Sequence, residues 1–88
     1  MIYSRRALGD LERISGFQEG DAARAVEVIS EAVEMLARHP LIGRPVEEGL
    51  RELVISRGKT GYVALYDFLE ADGVVLILAL RHQRELGD

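Results

Sequence analysis

The apolar residues change their period midway along the chain, and this change restricts the fold more than any other feature. Between positions 22 and 38 they recur every three or four residues, which is typical of one face of an amphipathic helix. A weaker stripe of the same kind runs from Ala7 to Phe17, behind Ser4, a residue type that favours a helix N-cap. After Pro40 the apolar residues alternate or form short runs. The pattern therefore predicts a helical hairpin followed by strands.

Three segments of the second half have the pattern of strands, and they read LRELVIS, GYVALYDFL and GVVLILAL. The pair Asp72-Gly73 is typical of a tight turn between the last two. The final run is apolar on both faces, which predicts a central position in the sheet. Helices followed by a meander predict an α+β fold, in which an antiparallel sheet is covered on one face by the α-helical hairpin. A length of 88 residues predicts a single domain over positions 1–88.

Composition excludes several classes of protein. The chain has no cysteine, so disulfides and thiolate metal sites are excluded. Its first ten residues contain no apolar signal core, and its longest apolar run, VVLILAL, is far shorter than the roughly 18–20 residues of a membrane span. We therefore expect a cytoplasmic protein without a membrane partner. No phosphate-binding loop, paired metal-binding histidines or nucleophile elbow is present, so no cofactor, metal or small-molecule ligand is predicted.

A cluster of cationic side chains is the strongest candidate site. The formal net charge of −4 argues against attraction of nucleic acid to the whole surface, but it leaves room for a local basic patch. Neighbouring antiparallel strands bring their ends together, and such a patch could bind phosphates or a carboxylate-rich protein surface. Alternatively, these side chains form a solvated strand tail with weak ion pairs. The predicted site residues are Arg51, Arg57, Lys59, Arg81, His82 and Arg84.

The second helix carries a different candidate surface. Val28 and Met35 lie beside its main apolar stripe and widen the apolar arc. Either they pack against the first helix, or they line a groove for a partner segment, in which the adaptable side chain of methionine is useful.

Four segments, YSRRALGDLERI, HPLIGRPVEEGLRELVIS, GKTGYVALY and LALRHQREL, together resemble the RelE/ParE superfamily of toxins from bacterial type II toxin–antitoxin modules. The resemblance covers nearly the whole chain in the same order. It implies the element order β-α-α-β-β-β, in which MIY, too short to be predicted by periodicity, is the first strand. It also implies that a cognate antitoxin binds and silences the protein.

The superfamily contains two mechanisms. RelE-like members are ribosome-dependent endonucleases that cut mRNA, whereas ParE-like members, known from plasmid stabilisation, bind DNA gyrase and stabilise its cleavage complex. The nucleases commonly carry an arginine on the second meander strand, but GYVALYDFL has no basic residue and carries Asp67, and a terminal tyrosine is also missing.

The resemblance therefore favours a ParE-like gyrase inhibitor that is not an enzyme. Its basic cluster would contact the target, and Val28 and Met35 would contact the antitoxin. The first alternative is an mRNA endonuclease acting on the ribosome, with catalytic candidates Arg57, Lys59, Arg81 and His82. The second is a toxin relic that retains only antitoxin binding.

Overall fold

The computed structural model describes residues 2–17, 22–55 and 61–82 of the chain. Two helices and five strands follow one another in an α+β fold, which confirms the predicted class and the order β-α-α-β-β-β, with one additional short strand. The elements are β1 (Ile2–Tyr3), α1 (Arg5–Phe17), α2 (Ala22–Arg38), β2 (Arg44–Pro45), a 3-10 turn (Glu47–Gly49), β3 (Arg51–Val54), β4 (Tyr62–Leu69) and β5 (Val74–His82).

The five strands form one sheet in the order β1-β5-β4-β3-β2. From β2 to β5 each neighbouring pair is antiparallel, as the meander pattern predicts. Strand β1 instead pairs parallel to β5, with Ile2 opposite Leu76 and Tyr3 opposite Ile77, so the sheet is mixed rather than wholly antiparallel. The position of β5 between β1 and β4 confirms that the run apolar on both faces is internal.

Both helices pack on the same face of the sheet and form one core with it. The apolar stripes predicted for α1 and α2 supply buried residues from both helices. Val26 is an exception, because it is 37% exposed beside Leu8 in a groove between the helices. The buried apolar cluster consists of Ala7, Ile14, Ile29, Val33, Leu36, Tyr62, Ala64, Tyr66, Val75, Ile77 and Leu80.

The local signals at chain reversals are also confirmed. The backbone N–H of Ala7 donates to Ser4 Oγ at 3.0 Å, so Ser4 caps α1. Between β4 and β5, the N–H of Asp72 donates to the carbonyl of Leu69 at 3.1 Å, and Gly73 has a φ of +63°. That left-handed conformation favours glycine, which explains the Asp-Gly pair. Neither described helix is long and apolar enough to cross a membrane.

The loop between α2 and β2 is held by hydrogen bonds to two side chains of the sheet, those of Tyr66 and Arg51. The hydroxyl of Tyr66 donates to the carbonyl of Pro40 at 2.7 Å and accepts from the N–H of Gly43 at 2.9 Å. Arg51 donates to the carbonyls of Leu41 at 3.2 Å and Gly43 at 2.8 Å. A Cβ atom on Gly43 would lie 2.7 Å from the Tyr66 ring and hydroxyl, so only glycine fits. We call this arrangement the loop anchor.

Candidate functional site at the end of the last strand

A β-bulge in β5 determines which way the end of this strand faces. Tyr66 lies opposite Ile77, but the preceding residue, Leu65, lies opposite Ala79, so Leu78 has no counterpart on β4. The extra residue shifts the alternation of side chains by one position. Ile77 and Leu80 consequently both face the helices and are completely buried.

After the bulge, Arg81 and His82 project to opposite faces of the sheet. His82 pairs with Tyr62 on the helix-facing side, whereas Arg81 pairs with Val63 on the other side, which we call the outer face. The imidazole of His82 is 1% exposed and meets the Tyr62 ring edge-on, with centroids 5.2 Å apart and an angle of 89° between the ring planes. Arg81 is half-buried. Of these two neighbours, only Arg81 is partly open to solvent.

Arg51 lies away from Arg81. It pairs with the buried residue Tyr66, which places it on the helix-facing side, and its guanidinium group belongs to the loop anchor. The structure therefore places Arg51 and His82 on one face of the sheet and Arg81 on the other. The remaining predicted cationic residues, Arg57, Lys59 and Arg84, lie outside the described residues.

Three polar side chains near β5 were not recognised from the sequence. Strand β1 reaches only Leu76 and Ile77, and beyond it residues of α1 and its cap bond the same edge of β5. Ser4 Oγ donates to the carbonyl of Leu78 at 3.0 Å. Asp10 Oδ2 accepts from the N–H of Leu80 at 3.0 Å, and Arg13 donates to the carbonyl of Leu80 at 3.4 Å. We call the contacts of Asp10 and Arg13 with Leu80 the α1–β5 clamp.

The carboxylate of Asp10 is held in its charged form. Burial raises the pKa of this carboxyl, since Asp10 is 5% exposed, but the hydrogen bonds from Arg13 and from the N–H of Leu80 outweigh that effect. The charges of Arg13 and Arg6 act in the same direction, and the resulting pKa lies below the ordinary value of 3.8. Arg13 Nη1 lies 2.6 Å from Asp10 Oδ1, and Arg6 Nε lies 4.0 Å from Oδ2.

A sequence signal for Asp10 exists in retrospect. Positions 7, 10 and 14 share one face of a helix, and Ala7 and Ile14 are buried. A carboxylate at an otherwise apolar position requires a partner when it is buried, and Arg13 stands one turn further on.

The proposed antitoxin surface lies on the outside of the helical hairpin. Met35 is 40% exposed and Val28 is half-buried, so both are accessible on α2. Near the start of α2, an open groove is lined by Leu8, Leu11 and Val26 together with charged residues of α1. Within residues 2–17, 22–55 and 61–82, no three carboxylate or imidazole groups come close enough together to hold a metal ion.

A helical hairpin packed on one face of a small sheet is the arrangement that the resemblance to the RelE/ParE superfamily implies. Residues 1–87 match the family described as the ParE toxin of the type II toxin-antitoxin system, parDE, and the chain belongs to this family. It is also 41% identical over 64 residues to Toxin RelE3 of Caulobacter vibrioides, a match that covers 73% of this chain and 67% of that protein. The resemblance predicted from the sequence is thus confirmed, and toxins of this type bind a cognate antitoxin.

Proposed function

We propose that this toxin acts as a ParE-like inhibitor, which binds DNA gyrase and stabilises its cleavage complex until the cognate antitoxin removes it. One observation carries the preference for binding over catalysis, namely the division of Arg81 and His82 between the two faces of the sheet. The match to the ParE family over residues 1–87 supports the same choice. A role in plasmid stabilisation belongs to this proposal.

Cleavage of RNA requires several groups to meet at one phosphodiester. A base must activate the 2′-hydroxyl, a cation must stabilise the charged phosphate, and an acid must protonate the leaving oxygen. In this fold the imidazole of His82 is enclosed beside Tyr62, while the guanidinium of Arg81 lies across the sheet. A cation that the sheet separates from the buried imidazole of His82 is suited to charge-assisted hydrogen bonds with phosphates or carboxylates of a macromolecule.

The proposed contact surface centres on Arg81. Arg84 follows it along the chain, and Arg57 and Lys59 precede β4, whose first residues pair with the end of β5. In this scheme His82 supports the surface from the interior through its packing on Tyr62, whereas Arg51 belongs to the loop anchor.

The direct test uses purified gyrase and supercoiled plasmid. We expect the wild-type toxin to accumulate cleaved DNA and Arg81→Ala to reduce its potency by about tenfold or more, the worth of one charge-assisted hydrogen bond. Arg44→Ala is the matched control, because Arg44 pairs with Glu52 on the same face at the opposite edge of the sheet and is 74% exposed. A folded wild-type toxin that traps no cleaved DNA and leaves supercoiling unaltered contradicts the proposal.

The second candidate function is ribosome-dependent cleavage of mRNA. The name of the relative, Toxin RelE3, and the adjacency of Arg81 and His82 in the chain favour it. Its catalytic candidates are Arg57, Lys59, Arg81 and His82. Primer extension on a translated message distinguishes the two functions. Discrete codon-phased cuts that disappear in Arg81→Ala and persist in Arg44→Ala would replace gyrase by the ribosome as the target.

We further propose that the antitoxin lies along the helical hairpin and contacts Val28 and Met35. Met35→Asp places a charge in that apolar contact, so we expect the affinity for the antitoxin to fall by about tenfold or more. Ala37→Asp introduces the same charge at an exposed position on another side of α2, and it should leave the affinity unchanged. Calorimetry on the purified pair measures both, and unchanged affinity in Met35→Asp removes this surface from the proposal.

A further inference from the structure

We propose that Asp10 and Arg13 are positioning residues for the target contact of this toxin. Through the α1–β5 clamp they hold the backbone of Leu80, so that the next residue, Arg81, is presented on the outer face of the sheet. This inference rests on the proposed function only in taking Arg81 as a residue that contacts the target.

Among the strands of residues 2–17, 22–55 and 61–82, only β4 bonds the end of β5, and it does so on one of the two edges. Strand β4 pairs with β5 as far as His82, but β1 covers the other edge only at Leu76 and Ile77. Past the bulge, the N–H and the carbonyl of Leu80 point to that second edge and bond the side chains of Asp10 and Arg13. The clamp therefore takes the place of a strand at the residue immediately before Arg81.

The clamp bonds β5 in its bulged register. In a regular strand the residues facing the helices would continue from Val75 and Ile77 to Ala79 and Arg81. The extra residue at the bulge reverses this, so that Leu80 is buried and Arg81 reaches the outer face. In this register the N–H of Leu80 is the donor to Asp10, so the clamp holds the residue immediately before Arg81.

The chemistry of the clamp indicates a role in anchoring the end of β5 to α1. An apolar residue at position 10 would continue the stripe of Ala7 and Ile14, and replacing a buried ion pair by apolar residues is often neutral or stabilising. An apolar side chain would, however, make no bond to the backbone of β5. A carboxylate that is 5% exposed and bonded to the N–H of Leu80 ties this residue to α1, because opening of the bond would leave a buried charge without that donor.

The structural half of the test is amide hydrogen exchange measured by NMR. In Asp10→Ala we expect the exchange of the Leu80 amide to accelerate by about tenfold or more, since its acceptor is removed. The amide of Ala79 points to β4 and serves as the internal reference. Acceleration at Leu80 alone reports a local opening, whereas equal acceleration at both amides reports general unfolding and contradicts the clamp.

The functional half compares toxicity at equal folded fraction, determined by circular dichroism. We expect Asp10→Ala to reduce trapping of gyrase cleavage, and growth arrest in cells without antitoxin, by about tenfold, as Arg81→Ala does. Asp10→Asn should lose less, because its amide oxygen still accepts from Leu80. Ile29→Val is the control, since it weakens the core within α2 and should leave toxicity unchanged.

Each outcome decides the inference. Full toxicity of Asp10→Ala with a rapidly exchanging Leu80 amide overturns it, and so does an equal loss in Ile29→Val. Should Asp10→Ala not fold, Arg13→Gln, which removes the charge beside Asp10 and weakens the bond to the carbonyl of Leu80, gives the same comparison. A wild-type toxin without effect on gyrase, whose growth arrest still depends on Asp10 and Arg81 alike, refutes the proposed target and supports the positioning role. Gyrase trapping that is lost in Arg81→Ala but intact in Asp10→Ala supports gyrase as the target and refutes the positioning role.

Discussion

The loop anchor and the α1–β5 clamp perform the same task with different chemistry. In both places side chains bond backbone groups that none of the strands within residues 2–17, 22–55 and 61–82 reaches. The loop anchor uses the neutral phenol of Tyr66 and the permanently charged guanidinium of Arg51, around a glycine that leaves no spare space. The clamp uses a carboxylate whose ionised form is favoured by its bonds to Arg13 and to the N–H of Leu80, so its strength changes with protonation. The loop anchor is therefore sensitive to side-chain volume at Gly43, whereas the α1–β5 clamp is sensitive to protonation of Asp10.

The largest effect should come from filling the space in the loop anchor. In Gly43→Ala the new Cβ would lie 2.7 Å from the Tyr66 ring and 2.9 Å from the carbonyl of Glu52, and Tyr66 is completely buried. We expect the free energy of unfolding to fall by about 3 kcal/mol, because neither neighbour can move away. Urea denaturation measures it. A loss below about 1 kcal/mol would show that the loop anchor relaxes to accommodate the added Cβ atom.

Tyr66→Phe is the graded control for that substitution. It removes only the hydroxyl, leaving the N–H of Gly43 and the carbonyl of Pro40 without this partner. The expected loss is about 1–2 kcal/mol, smaller than that of Gly43→Ala. Equal losses in the two variants would mean that hydrogen bonding, rather than close packing, dominates the loop anchor.

The smallest and most specific effect should be the response of the clamp to acid. Because the pKa of Asp10 is lowered in the folded state, its carboxylate contributes stability that is fully present above the unfolded value near 3.8. That contribution is lost as the pH falls through the lower pKa of the folded protein. The difference in unfolding free energy between the wild type and Asp10→Asn should therefore shrink in strong acid.

Urea titrations over a pH series measure that difference. The difference between the wild type and Tyr66→Phe provides the contrast, since no carboxylate takes part in the hydrogen bonds of Tyr66 and the difference should stay constant. If the difference in unfolding free energy between the wild type and Asp10→Asn also stayed constant with pH, the clamp would be no more sensitive to protonation than the loop anchor.

Much of the fold could be predicted because its signals are local. Periodicity and the Ser4 cap indicate the helices, and alternation with the Asp72-Gly73 turn indicates the strands. Strand β1 could not be predicted in this way, because two residues carry no period and its parallel partner lies near the other end of the chain. Strand β2 lies within a segment rich in proline and glycine, where pairing depends on β3.

The candidate site was less accessible to sequence reasoning. Adjacent cations at a strand end indicate a cluster, but alternation alone cannot assign them to faces when a bulge precedes them. The bulge itself follows from contacts distant in sequence, such as the bond between Asp10 and Leu80, 70 positions apart. Arg51 was predicted as a surface cation because its partners, the carbonyls of Leu41 and Gly43, are set by the folded loop.

The pairing of Ser4 with Leu78, 74 positions later, has a consequence for biosynthesis. The ribosome synthesises α1 well before β5, the strand against which α1 packs. Until β5 has been made, the apolar stripe of α1 and the carboxylate of Asp10 lack their native contacts with that strand. Closing so long a loop is slow relative to forming a hairpin. Because the proposed target contact, Arg81, lies on β5, we expect toxicity to arise only after this last strand has been translated and has folded against the first helix.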